Sequence, residues 1–356
     1  MAFSECDIRY MRRCLQLARC GRGSTSPNPM VGAVVVCDGR IIGEGYHVRA
    51  GEPHAEVNAI RSVKAADRHL LLKSTMYVTL EPCSHFGKTP PCCDMIISHG
   101  IPRVVIGISD SNCQVNGAGI SRMCAAGIDV EVGVLKDECY RLNRAFFTMH
   151  NHSRPMVTLK WAQTADGFID AIRSCGKPLA ISTELSRVAV HKLRAEHDAI
   201  LVGTRTALMD DPSLDIRYWA GRSPMRLVID RKGVLPLSLR LFDGTLPTVV
   251  YTMAVRKELC GKNIEQVKLR EGEGEVSQIL AHLHSRGVCS LLVEGGALLI
   301  RSFIESSLWD VARVEVNNSL VAGSGVPAPS FDASVKPVRA VSGGNEILFF
   351  ERKKPI

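Results

Sequence analysis

The chain has 356 residues, which is too long for one small module and suggests two domains at about 100 to 200 residues each. Its 46% hydrophobic and 22% charged residues are the proportions of a soluble globular protein with real cores, and no window approaches the ~18 consecutive apolar residues of a membrane helix. The formal charge of +8 is spread evenly, 17 Lys/Arg against 14 Asp/Glu in residues 1–150 and 27 against 22 in residues 151–356, which argues against the concentrated basic face of a nucleic-acid binder. Ile8, Met11, Leu15 and Ala18 share one helical face and predict an opening helix that Gly21 and Gly23 end. After the loop 24–29, the apolar run Met30–Cys37 predicts a buried strand, and Asp38-Gly39 turns the chain into a second strand through Ile41 and Ile42. Helix 54–66, strand 75–80, helix 92–99, strand 103–108, helix 117–126, strand 129–134 and helix 137–149 are expected next. Strands alternating with helices predict an α/β sheet covered on both faces.

The stretch Asn151–Pro155 is the expected junction, giving domains 1–150 and 151–356. The second half opens with a strand at 157–160 and carries strand candidates at 199–203, 226–230, 247–251, 289–294 and 311–316. Gly272 with Glu271, Glu273 and Glu275 reads as a solvated loop.

Thirteen cysteines, an odd number, cannot all pair within one chain, and residues Met1–Asp7 show no secretory pattern. A reducing, cytoplasmic setting is therefore expected, where a cysteine cluster means metal or catalysis more often than disulfides. Three pieces carry such a cluster: His54-Ala55-Glu56, Glu81-Pro82-Cys83 and Pro90-Pro91-Cys92-Cys93. One imidazole and two thiolates make a three-ligand zinc site with the fourth position left for water. A structural zinc would need a fourth ligand, for which Cys93 or His85 are the candidates. Two residues apart on a regular helix, His54 and Glu56 would point about 200° apart, so both approach one metal only at a helix start, which Pro53 favours. Cys92 is likewise expected at a helix N-terminus, where the dipole and the metal both favour its thiolate. Zinc brings the pKa of a bound water to about 7, making hydroxide available at neutral pH, and a nearby carboxylate can pass its proton to a ring nitrogen and a departing amine. This is the hydrolytic deaminase plan, whose usual signature is H-x-E followed by P-C-x-x-C. Here eight residues separate Cys83 from Cys92.

That insert is specific. His54–Val57 together with Glu81–Cys92 closely resembles the pyrimidine deaminase half of the bifunctional riboflavin-biosynthesis deaminase/reductases. The resemblance extends through Pro27–Gly32, Gly43–His47, Asp110, Asn112 and Asn116–Gly119, and covers most of residues 7–150. It implies a cytidine-deaminase-like α/β/α fold, zinc ligands His54, Cys83 and Cys92, and Glu56 as the catalytic proton shuttle. It also implies that Asn28, His47, His85 and Lys88 hold the base and the ribose phosphate. Cys6, Cys14, Cys20, Cys37, Cys93, Cys113, Cys124 and Cys139 are expected to be small buried hydrophobes.

In the second half no G-x-G-x-x-G follows a strand, so a Rossmann fold is not supported. The run Leu291–Glu294 followed by Gly295-Gly296 and an apolar helix is a candidate phosphate site, although such a glycine turn is as often purely steric. Leu159–Gly167 and Gly203–Arg217 resemble the reductase half of the same family. The resemblance implies a dihydrofolate-reductase-like α/β domain using NADPH, with the cofactor near Ala162, Thr206, Asp210, Gly295 and Gly296. It implies a substrate side of Lys160, Arg194, Leu214, Arg217 and Glu294, with Lys160 and Glu294 catalytic. The chain departs from the family's Gly-x-Ser-x-Trp-Ile, reading Gly176-Lys177-Pro178-Leu179-Ala180-Ile181, and Arg231 stands where a small hydroxyl residue is common. Trp161 is the residue that could fill the missing tryptophan's space.

The expected function is zinc-dependent deamination of 2,5-diamino-6-ribosylamino-4(3H)-pyrimidinone 5′-phosphate, then NADPH-dependent reduction of the ribosyl group to a ribityl chain. The expected partners are this small pyrimidine ribotide and further copies of the chain as a homo-oligomer, not nucleic acid or membrane. The alternatives are a deaminase with a degenerate reductase domain, a nucleic-acid base deaminase, and a non-catalytic zinc scaffold.

Overall fold

The computed structural model describes residues 3–86, 90–110, 117–173, 178–261 and 263–352. The chain divides into two compact units, Met1–Ser153 and Arg154–Ile356.

The first unit holds helices α1 (Glu5–Arg19), α2 (Ala55–Arg61), α3 (Cys92–Ser98), α4 (Ala118–Ala125), α5 (Lys136–Leu142) and α6 (Arg144–His152). Its strands are β1 (Gly32–Cys37), β2 (Arg40–Tyr46), β3 (Thr75–Leu80), β4 (Arg103–Ile108) and β5 (Asp129–Val132). They form one sheet in the order β2-β1-β3-β4-β5, antiparallel at β2-β1 and β1-β3 and parallel from β3 to β5. Strand β1 is buried at all six positions because both faces of the sheet are covered. Its alternating side chains feed separate cores: Ala33, Val35 and Cys37 pack with Ala59, Ile60 and Ile96, while Val34 and Val36 pack with Met11, Leu15 and Phe147. Gly43 and Gly45 on β2 let α2 lie directly on the sheet, since a Cβ at either would come within 2.4 Å of the Ala59 backbone. That close seat fixes where α2 begins, and with it His54.

The predicted helix 54–66 is shorter than expected: α2 ends at Arg61, and a 3-10 segment follows over Ala65–Lys73. The predicted helix 137–149 is two helices. Asn143 leaves the helical path between them because its side-chain amide bonds both backbone groups of Met30, at 2.8 Å each. Cys14, Cys37, Cys93 and Cys139 are buried as expected, but Cys6, Cys20 and Cys124 are exposed, the first two at either end of α1 and the third near the end of α4, where those helices meet solvent. Cys113 lies outside the described residues.

The second unit holds α7 (Glu184–Ala195), α8 (Thr204–Asp210), α9 (Glu275–Ser285) and α10 (Ala297–Glu305). Its strands are β6 (Met156–Thr164), β7 (Phe168–Asp170), β8 (Ala199–Val202), β9 (Met225–Ile229), β10 (Thr248–Thr252), β11 (Ile264–Lys268), β12 (Ser290–Glu294), β13 (Val311–Asn317), β14 (Val326–Pro327), β15 (Val338–Ser342) and β16 (Asn345–Glu351). Nine of them form a sheet in the order β11-β10-β9-β8-β12-β6-β13-β16-β15, parallel from β11 to β13 and antiparallel at β13-β16 and β16-β15. Its two faces again bury separate cores, Leu201, Leu227 and Val249 on one and Ile200, Val228 and Val250 on the other. An open parallel sheet of this kind binds ligands beyond the carboxyl ends of its strands. The ends of β8, β9 and β12 are therefore the place to look. No helix among the described residues is long and apolar enough to cross a membrane.

Candidate active sites

In the first unit, His54 is the N-cap of α2 in an extended conformation (φ −72°, ψ 166°), so its ring leaves the helix while Glu56 sits in the first turn. Cys83 follows the end of β3, and Cys92 is the first residue of α3. The three ligand atoms lie within 4.8 Å of one another. His54 Nδ1 is 3.6 Å from Cys83 Sγ and 3.3 Å from Cys92 Sγ. A tetrahedral zinc about 2.3 Å from sulfur and 2.0 Å from nitrogen sets those atoms about 3.6 Å apart, so the donor set fits the ion. Left to themselves the donors compete for protons. The hydrogen bond from Cys92 brings the Cys83 thiol down to about 4, the bond to Cys83 pushes His54 up to about 9, and the bond to Cys83 with burial drives Cys92 far up. The Cys92 backbone N–H donates to Cys83 Sγ at 3.3 Å, which favours its thiolate. Cys93 points elsewhere, packed in the core of the α2 face.

Glu56 is 3% exposed. Burial pushes its carboxyl up to about 7, against the pull of His54. His47, also buried, accepts from Asn28 Nδ2 at Nε2 (3.2 Å) and donates from Nδ1 to the Pro53 carbonyl (3.2 Å), which fixes a neutral ring; burial lowers its pKa further. Its ring meets that of His54 edge to face at 5.5 Å. The structure thus gathers His54, Cys83, Cys92, Glu56, His47 and Asn28. His85 is exposed on the loop before α3 and makes no hydrogen bond to this group among the described residues; Lys88 lies outside them, as do Asn112 and Asn116.

Glu81 has a role that its place in the Glu-Pro-Cys motif does not reveal. Its buried carboxylate accepts from the backbone N–H groups of Asp110, Gly117, Gly119 and Ile120 at 3.1 to 3.3 Å. It therefore clamps the start of α4 to the end of β3, two residues from Cys83, as an anion at a helix N-terminus. Glu81→Gln replaces an acceptor oxygen by a donor against these N–H groups and should cost about 1.5–3 kcal/mol of unfolding free energy. A urea midpoint unchanged from wild type would contradict this role.

In the second unit, β12, β6 and β13 place Glu294, Lys160 and Arg313 side by side in register. Arg194 of α7 forks onto Glu294, Nη2 to Oε2 at 2.7 Å and Nε to Oε1 at 3.2 Å. Burial pushes the Lys160 ammonium down, while Glu294 and Glu315 hold it up. Lys160, Arg194 and Glu294 line a cavity of about 850 Å³ that also takes in Ala162, Thr206, Asp210, Leu214, Gly295 and Gly296, within the usual range for ligand pockets. Gly295 and Gly296 have φ +75° and +78°, and a Cβ on Gly295 would meet Thr206 Cγ2 at 2.8 Å. The turn is a cradle that only glycine leaves open, at the N-terminus of the nine-residue α10. The chemistry and size fit a dinucleotide. Arg217 is not in the lining; its exposed guanidinium pairs with Asp215 at 3.2 Å. Asp210 is held by Arg173 at 2.7 Å, a guanidinium that the sequence reading did not single out.

Pro178 and Ala180 line the cavity, while Gly176 and Lys177 lie outside the described residues. Trp161 also contributes to the lining, but its ring is held elsewhere. It packs on Phe331 at 5.6 Å and bonds Gln163 Oε1 at 2.8 Å, within the core that Leu159 and Phe303 share.

A zinc-type deaminase unit followed by a dihydrofolate-reductase-like unit defines a two-site deaminase/reductase. Residues 4–108 match the cytidine and deoxycytidylate deaminase zinc-binding region, and residues 155–347 match the RibD C-terminal domain. Riboflavin biosynthesis protein RibD of Aquifex aeolicus is 41% identical over 98% of this chain and 99% of its own; that of Escherichia coli is 36% identical over 88% of each. The solved diaminohydroxyphosphoribosylaminopyrimidine deaminase/5-amino-6-(5-phosphoribosylamino)uracil reductase of Thermotoga maritima superposes with a TM-score of 0.88 at 38% identity, over 97% of this chain and 98% of that one. Acinetobacter baumannii RibD gives 0.87 at 30%, over 98% and 99%. The chain belongs to the RibD family of bifunctional riboflavin-biosynthesis deaminase/reductases.

Proposed function

We propose that the first unit exchanges the amino group of 2,5-diamino-6-ribosylamino-4(3H)-pyrimidinone 5′-phosphate for oxygen, releasing ammonia, and that the second reduces the ribosyl group of that product to a ribityl chain. The observation that carries this reading is the convergence of His54, Cys83 and Cys92 beside the buried Glu56. His54, Cys83 and Cys92 would hold zinc, which when bound brings the pKa of a water to about 7. Glu56 takes one proton from the attacking water and delivers it to the ring nitrogen, then takes the remaining proton of the new hydroxyl and delivers it to the departing amine, which leaves as ammonia while the carbonyl forms; a carboxyl near neutrality can do both. Asn28 and the neutral His47 offer the base a fixed set of polar groups, and Lys88 and His85 are assigned to the phosphate end.

In the second unit the glycine turn and Thr206 would hold NADPH, which supplies a hydride to the sugar's C1′. Lys160 delivers the proton that the opening ring oxygen takes up, and Glu294 holds Arg194 against the sugar. Leu214 is assigned to the substrate side, with Ala162 and Asp210 beside the cofactor. Cys6, Cys14, Cys20, Cys37, Cys83, Cys92, Cys93, Cys124, Cys139 and Cys260 are in no disulfide, which supports a reducing, cytoplasmic setting. The edge strand β15, with Val338 and Val341 exposed, supports self-association of the chain.

Ammonia release from the pyrimidine ribotide but not from tRNA or single-stranded DNA tests the deaminase reading; release from nucleic acid alone would overturn it. A tryptophan facing the cofactor is worth about 1.5 to 3 kcal/mol or more when buried. With Ala180 in that place, NADPH should bind roughly one to two orders of magnitude more weakly than to a relative that keeps the pattern. Ala180→Trp with Pro178→Ser should recover most of this in an NADPH titration. No binding up to millimolar NADPH would mark the second unit as a degenerate domain.

A further inference from the structure

One end of the second unit's cavity holds more cations than carboxylates. Arg231 and Lys232 follow closely on β9, and Arg205 is the second residue of α8; all three line the cavity. Among the described residues no carboxylate lies within ion-pair distance of Arg205 or Lys232. Arg231 donates from Nε to Glu275, the first residue of α9. The pair lies at the rim, with the Arg231 side chain 59% exposed and that of Glu275 20%, so water screens it and little holds it closed. Asp230 next door does not serve these cations. It is buried, and its oxygens accept from the backbone N–H groups of Val234 and Leu235 at 2.9 and 3.0 Å. Of the other lining guanidiniums, Arg173 is matched by Asp170 and Asp210 and Arg194 by Glu294, while Arg187 belongs to α7, not to the end of β9.

The glycine cradle after β12 opens into the same cavity, and β8 and β9 are the next strands in the sheet. With strands about 4.8 Å apart, a dinucleotide whose pyrophosphate sits at the cradle reaches the end of β9 with its adenosine ribose. We infer that Arg231, supported by Lys232 and Arg205, selects NADPH over NADH by binding the 2′-phosphate, and that Glu275 is the resident anion this phosphate replaces. The inference rests on the reductase reading above. A guanidinium fork takes phosphate through two charge-assisted hydrogen bonds, whereas the 2′-hydroxyl of NADH leaves the Arg231–Glu275 pair undisturbed. Arg231 therefore favours NADPH alone, and Glu275 opposes NADPH alone.

The test is equilibrium binding, read from nicotinamide fluorescence, of NADPH and NADH to the wild-type chain, Arg231→Ser and Glu275→Gln. Both side chains lie at the rim of the cavity, so neither substitution opens a core. Arg231→Ser should weaken NADPH about ten- to a hundredfold and leave NADH unchanged. Glu275→Gln should tighten NADPH by up to about fivefold at low salt, again without moving NADH. If Arg231→Ser weakens both nucleotides alike, or neither, the assignment is wrong while the reductase reading stands. If the wild-type chain binds neither nucleotide, the reductase reading itself falls, and the inference with it.

Discussion

Glu56→Gln should lower ammonia release from the pyrimidine ribotide by about 10²- to 10⁴-fold, the usual contribution of a general acid/base group. The substitution keeps size and hydrogen-bonding capacity but cannot carry a proton. Because Glu56 is buried in the first turn of α2 beside the metal ligands and is not one of the three, zinc content should be unchanged. NADPH oxidation with the already deaminated substrate should also survive, since Lys160 and Glu294 belong to the other unit. Equal loss of both activities would count against two independent sites, and retained ammonia release would remove Glu56 from the chemistry.

Cys92→Ser should lose zinc and deamination together, whereas Cys93→Ser should keep both. The purified chain should carry about one zinc. The two cysteines are adjacent in sequence, yet only Cys92 Sγ approaches His54 Nδ1, at 3.3 Å, while Cys93 is turned into the core with Ile96 and Ala59. Cys93→Ser puts a hydroxyl where a sulfur is fully buried, so its cost should appear in stability rather than in metal content. Zinc lost from Cys93→Ser and kept by Cys92→Ser would shift the ligand assignment by one residue.

Much of the first unit was legible because its signals are local. The apolar run Met30–Cys37, the Asp38-Gly39 turn and the His-x-Glu spacing each constrain the backbone within a few residues. What was hidden depends on contacts distant in sequence. Nothing near Asn143 announces that its amide pins Met30 and breaks a helix in two. Nothing near Glu81 announces that four N–H groups from residues 110–120 converge on it. In the second unit the missed strands are mostly edge or short ones. β11 reads Ile-Glu-Gln-Val-Lys, and β15 is exposed along most of its length, so neither shows an apolar pattern. The charged cluster of that unit was legible as residue types but not as a ladder, because Glu294, Lys160 and Arg313 become neighbours only through strand register. Trp161 shows the converse: its type suggested that it could stand in for the missing tryptophan, and although it is part of the cavity lining its ring is committed to Phe331 and the core.

The most direct measurement is to incubate the purified chain with the pyrimidine ribotide, with and without NADPH, and to identify the products by mass. Without NADPH a single product is expected, in which one amino group has become oxygen. With NADPH a second product is expected that has also gained two hydrogens, formed only after the first. A substrate left unchanged in both incubations, or reduced before it is deaminated, would contradict the proposed function.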